Sequence, residues 1–230
     1  MNELLPGKKR HTSRGEKGQI IVDRMANTLD WKAKVVCEPC NNTWMSELEN
    51  KHAKPAMTPL ILGKTGIVIT SSQADSIARF GFKTAVVIDY LARRREPFFT
   101  RWIRHGFRET QAIPAYKTAM WLSACVFRES GLLKSMYHEG SLPTKDSFEL
   151  YVCTYSVGHL VFQAVSFRPP SDLVFRPKDT TFDNVAIPFW PWVKSDAIWP
   201  PGAIRTREEF WSFSERWRRV LVNKPTSGLS

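Results

Sequence analysis

Cys37-Glu38-Pro39-Cys40 is the segment that most narrows what this chain can fold into. Two thiols separated by two residues reach one metal ion only from a tight turn, and the run from Asn41 to Glu49 has the pattern of an opening helix. A strand is therefore expected to deliver Cys37, a turn containing Pro39 to bring Cys40 alongside, and a helix to follow. A tetrahedral zinc site takes four Cys or His ligands, so Cys37 and Cys40 supply half of one. His11, His52, Cys125 and Cys153 are the other candidate donors, and none stands at the spacing of a second C-x-x-C. The segment predicts either a structural zinc ion on Cys37 and Cys40 with distant partners, or two buried thiols capping a turn. Cys125 and Cys153 are expected as plain core residues.

Around this turn the pattern is α+β. Gln19 to Asp23 and Ala33 to Cys37 are β-branched runs that predict a hairpin. Trp44 to His52 predicts a short helix with Trp44, Met45 and Leu48 on one face, closed by Pro55 and Pro59. Gly63 and Gly66 predict a linker into a short strand. Ser72 to Arg93 is the strongest helical pattern: Ile77, Phe80, Gly81, Thr84, Val87, Ile88 and Leu91 recur at intervals of three and four, and Ser72 with Asp75 suits its start. Tyr116 to Arg128 reads as a strand, and Phe148 to Phe167 as two strands bending at Val157-Gly158. Residues 168–203 predict an irregular wrap with Trp190, Trp192 and Trp199 as plugs. A last helix runs from the capping box Thr206 to Glu209 as far as Val222, with Phe210, Phe213, Trp217, Val220 and Leu221 on one face. The expected organisation is a strand-strand-turn-helix unit with a basic arm over 1–62, a larger domain of antiparallel strands with packed helices over 63–222, and a disordered tail over 223–230.

Charge narrows the partner. The 33 Lys and Arg against 22 Asp and Glu leave a net charge of +11, which favours a polyanion, nucleic acid before an anionic membrane. No apolar run of about 18 residues and no signal-peptide pattern is present, so a cytoplasmic protein without a membrane partner is expected. Two stretches carry the charge. Lys8, Lys9, Arg10 and Arg14 lie in a glycine- and serine-containing N-terminal run that reads as a mobile arm. Arg93, Arg94, Arg95, Arg101, Arg104 and Arg108 interleave with Phe98, Phe99, Trp102 and Phe107, the texture of a phosphate-contacting surface with rings available to stack. The same texture fits a solvated arginine face with its rings in the core. Duplex DNA is the expected partner; the alternative is a non-enzymatic homodimer built on the aromatic surface.

Phosphodiester hydrolysis needs a base to activate water and usually a divalent ion to stabilise charge on phosphate. Asn41, Asn42 and His52 are the candidate residues near Mg²⁺ or Mn²⁺. Phosphate-loop, dinucleotide and nucleophile-elbow motifs are absent from the sequence.

The run Val36-Cys37-Glu38-Pro39-Cys40-Asn41-Asn42-Thr43-Trp44-Met45-Ser46-Glu47-Leu48-Glu49 resembles the second half of the zinc-containing motif of bacterial HNH-endonuclease-like proteins, C-x-x-C-N-N-x-W-M-x-x-L-E. The likeness continues through Lys83-Thr84-Ala85, Thr154-Tyr155-Ser156-Val157-Gly158 and Ile198-Trp199-Pro200-Pro201. It implies a ββα metal fold, DNA as substrate, a divalent ion at the cleavage site and a general-base histidine in the first half of the motif. In that family a first C-x-x-C and then Glu-His-apolar-apolar-Pro precede the run. Here Glu3-Leu4-Leu5-Pro6 falls at that place, with Glu3 where the histidine is expected and the first C-x-x-C before Met1. The resemblance thus implies an N-terminally truncated or degenerate HNH-like remnant that keeps nucleic-acid binding, with weak or absent cleavage.

Overall fold

The computed structural model describes residues 8–14, 20–27, 36–92, 96–114, 117–127, 131–141, 147–168, 182–191 and 196–222. The architecture is mixed α+β with antiparallel sheets. Its centre is a sheet ordered β10-β4-β7-β6-β5, formed by β4 (Thr118–Cys125), β5 (Leu133–Ser141), β6 (Ser147–Val157), β7 (Leu160–Arg168) and β10 (Ala203–Ile204). The outer edge of β4 is shared. β8 (Ala186–Trp190) runs antiparallel along Met120 to Ser123, and β10 runs parallel along Ala124 and Cys125.

Side chains alternate across this sheet with the strand period of two. Met120, Leu122, Tyr151, Cys153, Tyr155, Leu160, Phe162 and Ala164 enter one core. Ala119, Trp121, Leu150, Val152, Val161 and Val165 enter the other. Helices cover both faces, which is why β4 and β7 read as continuous apolar runs rather than alternating ones. α5 (Arg207–Val222) packs Phe210, Phe213 and Trp217 on the second face. α2 (Lys54–Ile61) and α3 (Ser71–Leu91) cover the first, and a two-stranded sheet of β3 (Ile67–Ile69) and β9 (Ala197–Trp199) lies at its margin. Residues from Ala53 to Ile61 share that core with α3 and the sheet.

The expected helices and the β6–β7 hairpin are present, with informative differences. α3 is capped two residues earlier than the Ser72/Asp75 pattern suggested: Thr70 Oγ1 accepts from the Gln73 N–H at 3.3 Å, and Gln73 Oε1 accepts from the Thr70 N–H at 2.9 Å. α3 also buries more than one stripe. Phe82, Ala85 and Asp89 are buried alongside Ile77 and Phe80, because the helix packs on the sheet and also on α4 (Arg101–Thr110). Asp89 accepts the Phe99 N–H at 2.9 Å and ties the segment before α4 to α3.

Four expectations need correction. The irregular wrap expected over 168–203 carries strands β8 and β9 and the first residue of β10 where it is described, with Trp199 buried in the core as a plug. Lys8–Arg14, read as a mobile arm, is strand β1 and pairs antiparallel with β2 (Ile20–Asn27), Lys8 opposite Asn27. Low apolar content hid it, since ladder hydrogen bonds come from backbone alone. The partner expected for β2, Ala33 to Cys37, is not a strand where it is described: Val36 lies in a bend and Cys37 caps α1 (Glu38–Cys40). Residues 33–35 lie outside the described residues. Pro55 and Pro59 do not end the helical run. After α1 come two wide turns, Asn41–Met45 and Leu48–Ala53, broken by a kink at Thr43 (φ −106°, ψ −106°), and then α2. Pro55 falls in the first turn of α2, where its missing N–H leaves nothing unpaired, and Pro59 is carried inside the helix by burial of Ala56, Met57, Leu60 and Ile61. β5 was not foreseen. It is a polar edge strand whose residues are only partly covered.

Candidate nucleic-acid interface

α4 is divided lengthwise. Residues 101, 104, 105 and 108 recur at i, i+3, i+4 and i+7, so Arg101, Arg104, His105 and Arg108 form one stripe. Ile103 and Phe107 form the opposite one, Phe107 buried and Ile103 packed against the core. Thr100 caps the helix by accepting from the Ile103 N–H, and Gln111 closes it in the left-handed region at φ 53°. Ring contacts fix the orientation of α4: Phe107 meets Phe82 at 4.9 Å and Trp44 at 5.8 Å, both edge to face. This anchoring turns the basic stripe toward α3 and the Cys37 segment.

Between these three elements is a cleft of about 350 Å³. Arg101, Arg104, His105 and Arg108 form one wall, Lys83, Val86, Val87 and Tyr90 of α3 a second, and Cys37, Cys40, Trp44 and Met45 the third. Arg104 is held in place, donating to the Phe99 carbonyl at 2.5 Å with its guanidinium 5.0 Å from the centre of the Tyr90 ring. Lys83 pairs with Glu49 at 3.2 Å and lies over Phe80. Arg101 and Arg108 are exposed and carry the open charge of the cleft.

The two cysteines differ sharply. Cys37 is exposed, with extended backbone, while Cys40 is 8% exposed. Their sulfurs are in hydrogen-bond contact at 2.6 Å, and the Cys40 N–H also points at Cys37 Sγ at 3.4 Å. Both interactions, with a smaller contribution from the Arg108 charge, hold the Cys37 thiol below its ordinary range. The same sulfur contact, aided by burial, pushes Cys40 up. Cys125 and Cys153, buried in the sheet as expected, are both pushed up to about 12 by desolvation.

Zinc, implied by the motif, is not fitted by the described residues. Among the described residues no group of three or more His, Cys, Asp or Glu is arranged to hold a metal ion.

Of the residues singled out from the sequence, Cys37, Cys40, Arg101, Arg104 and Arg108 converge on the cleft. Trp102 does not line it; it projects from α4 and is 87% exposed. Asn41 and Asn42 are exposed on the first wide turn and His52 on the second, and none of them lines the cleft. Lys8, Lys9, Arg10 and Arg14 lie on β1, with side chains outside the described residues, as are Arg93, Arg94 and Arg95. Lys83, Tyr90, Trp44 and His105 were missed. His105 was legible from its spacing to Arg101, Arg104 and Arg108; Lys83 and Tyr90 were not, because only packing brings α3 beside α4.

No family model, curated protein or solved structure matches this chain. What fold and site together define is a class, an α+β protein with a cationic cleft beside a pair of thiols. No helix among the described residues is long and apolar enough to cross a membrane.

Proposed function

We propose that this protein binds nucleic acid, with duplex DNA as the partner, by laying backbone phosphates along the exposed stripe of α4. The observation that carries this reading is the convergence of Arg101, Arg104, His105 and Arg108 with Lys83 on one cleft, in a chain of net charge +11. Guanidinium groups match phosphate geometry through paired N–H donors, and Arg104 is already oriented by Phe99 and Tyr90. Trp102 adds an exposed ring next to Arg101 on the same helix. The likeness of Cys37 to Glu49 to HNH-endonuclease-like proteins supports the same partner through a remnant of the ββα unit. Binding rather than cleavage is the activity assigned, because Asn41, Asn42 and His52 stand outside the cleft.

Fluorescence anisotropy with a labelled duplex tests this reading. Three or four neutralised phosphates give a slope of log K against log salt of roughly −3. Affinity that stays level from low to high salt overturns the proposal. Incubation with plasmid and Mg²⁺ or Mn²⁺ is expected to leave the plasmid intact, and robust nicking would restore the endonuclease reading. The exposure of Trp102 also favours the alternative of a homodimer contact. Light scattering on Trp102→Ala separates the two, since loss of a dimer with unchanged DNA affinity supports the alternative.

A further inference from the structure

We propose that Cys37 and Cys40 are a reversible dithiol–disulfide site, opening into the cationic cleft and oxidised by small anionic disulfides. This inference is independent of nucleic-acid binding. Three observations carry it. The two sulfurs face each other in direct contact across one turn, the approach from which a disulfide closes. Their exposures are unequal, Cys37 open and Cys40 8% exposed, which divides the work between an attacking and a resolving sulfur. Cys37 also lies in a cleft with Arg101 and Arg108, whose charges draw in a disulfide bearing carboxylates.

The chemistry balances with such a disulfide as the oxidant. The Cys37 thiolate attacks one sulfur of the small disulfide, the S–S bond breaks, and one small thiolate leaves and takes a proton. Cys37 is then in a mixed disulfide. Cys40, giving its proton to solvent, attacks Cys37 Sγ and releases the second small thiolate. Two protein thiols have been oxidised and one disulfide reduced to two thiols. Reversal needs only an excess of the small thiol. Cys125 and Cys153 have no exposed surface and do not compete.

The test uses the full chain, reduced and then equilibrated in buffers of reduced and oxidised glutathione, acid-quenched, alkylated and weighed by mass spectrometry. Wild type is expected to lose the mass of two hydrogens and to lose alkylation at Cys37 and Cys40 together. C40S should stop at one glutathione adduct on Cys37. C37S should form adduct at Cys40 at least ~10-fold more slowly, because the remaining thiol is covered. Continued alkylation of both cysteines at the most oxidising ratio overturns the proposal, and so does adduct on Cys125 or Cys153. One equivalent of zinc on the purified chain, with both thiols inert to oxidised glutathione, overturns it in favour of a metal site. Since wild type alone gives the primary result, a variant that fails to fold does not rescue the idea.

Discussion

Gly81 stands in the middle of α3 and faces Phe162 of β7. A Cβ built there would be 1.8 Å from the Phe162 ring, and Phe162 cannot retreat because it stacks on Tyr155 at 5.1 Å and meets Phe189 at 5.5 Å. Gly81→Ala is therefore expected to cost roughly 1–3 kcal/mol through overpacking, although alanine normally favours a helix; the urea midpoint measures it. Gly158 is constrained twice, by φ of +56° and by the Ile61 carbonyl 2.4 Å from its Cβ position. At the thiols, environment separates residues that sequence makes alike. Cys37 should react first with an alkylating agent at pH 8, as peptide mapping after limited labelling would show, with Cys125 and Cys153 protected. The buried pair also sets an alkaline limit. Their folded values near 12 lie above the ordinary 9, so their contribution is intact below pH ~9 and is lost as pH rises toward 12. Cys153→Ala should flatten the alkaline arm of a pH series of denaturation midpoints; an unchanged arm would exclude Cys153 as its source.

At the scale of the element, α4 is a helix whose two stripes do different jobs, and its substitutions should divide accordingly. Arg101→Ala and Arg108→Ala remove exposed charge, so stability should move by no more than about 0.5 kcal/mol. The double variant should make the salt slope of DNA binding shallower by about 2. Arg104→Ala differs, since it also loses the bond to the Phe99 carbonyl and the packing on Tyr90. It should cost about 1 kcal/mol as well as affinity. Thermal unfolding and anisotropy on the same three variants distinguish these effects. A uniform loss of stability would mean that the stripe is structural. α3 depends on its cap in the same local way, and Thr70→Ala should lose about 1 kcal/mol in denaturant titration.

Across the whole molecule, three layers hold together because the sheet is apolar on both faces, and on the second face one polar group joins the sheet to α5. Gln163 on β7 donates to Thr154 Oγ1 and to the Phe213 carbonyl, and accepts from Arg216 Nε and Trp217 Nε1, all at 2.9 Å. The Arg216 guanidinium is buried among Trp121, Phe213 and Trp217. Gln163→Leu leaves these buried groups short of their partner, and a loss of about 3 kcal/mol or more is expected. Hydrogen exchange should show α5 amides losing protection before those of β6 and β7. Equal loss throughout would mean that helix and sheet unfold as one unit.

Sequence by itself determined the elements whose signal is local. The three-and-four spacing of α3 and α5, the Thr206 hydroxyl that accepts the Glu209 N–H, and the apolar runs of β6 and β7 around Val157-Gly158 are written in neighbouring residues. So is the turn that brings Cys37 to Cys40. Weak local signals failed: β1 and β5 are polar strands recognisable only by their partners, and Pro59 is tolerated in α2 only because that helix is buried. The cleft was decided by tertiary structure. Residues 37–45, 83–90 and 101–108 meet because Trp44, Phe82 and Phe107 pack edge to face, and a contact between residues so far apart in the chain leaves no periodicity for the sequence to display.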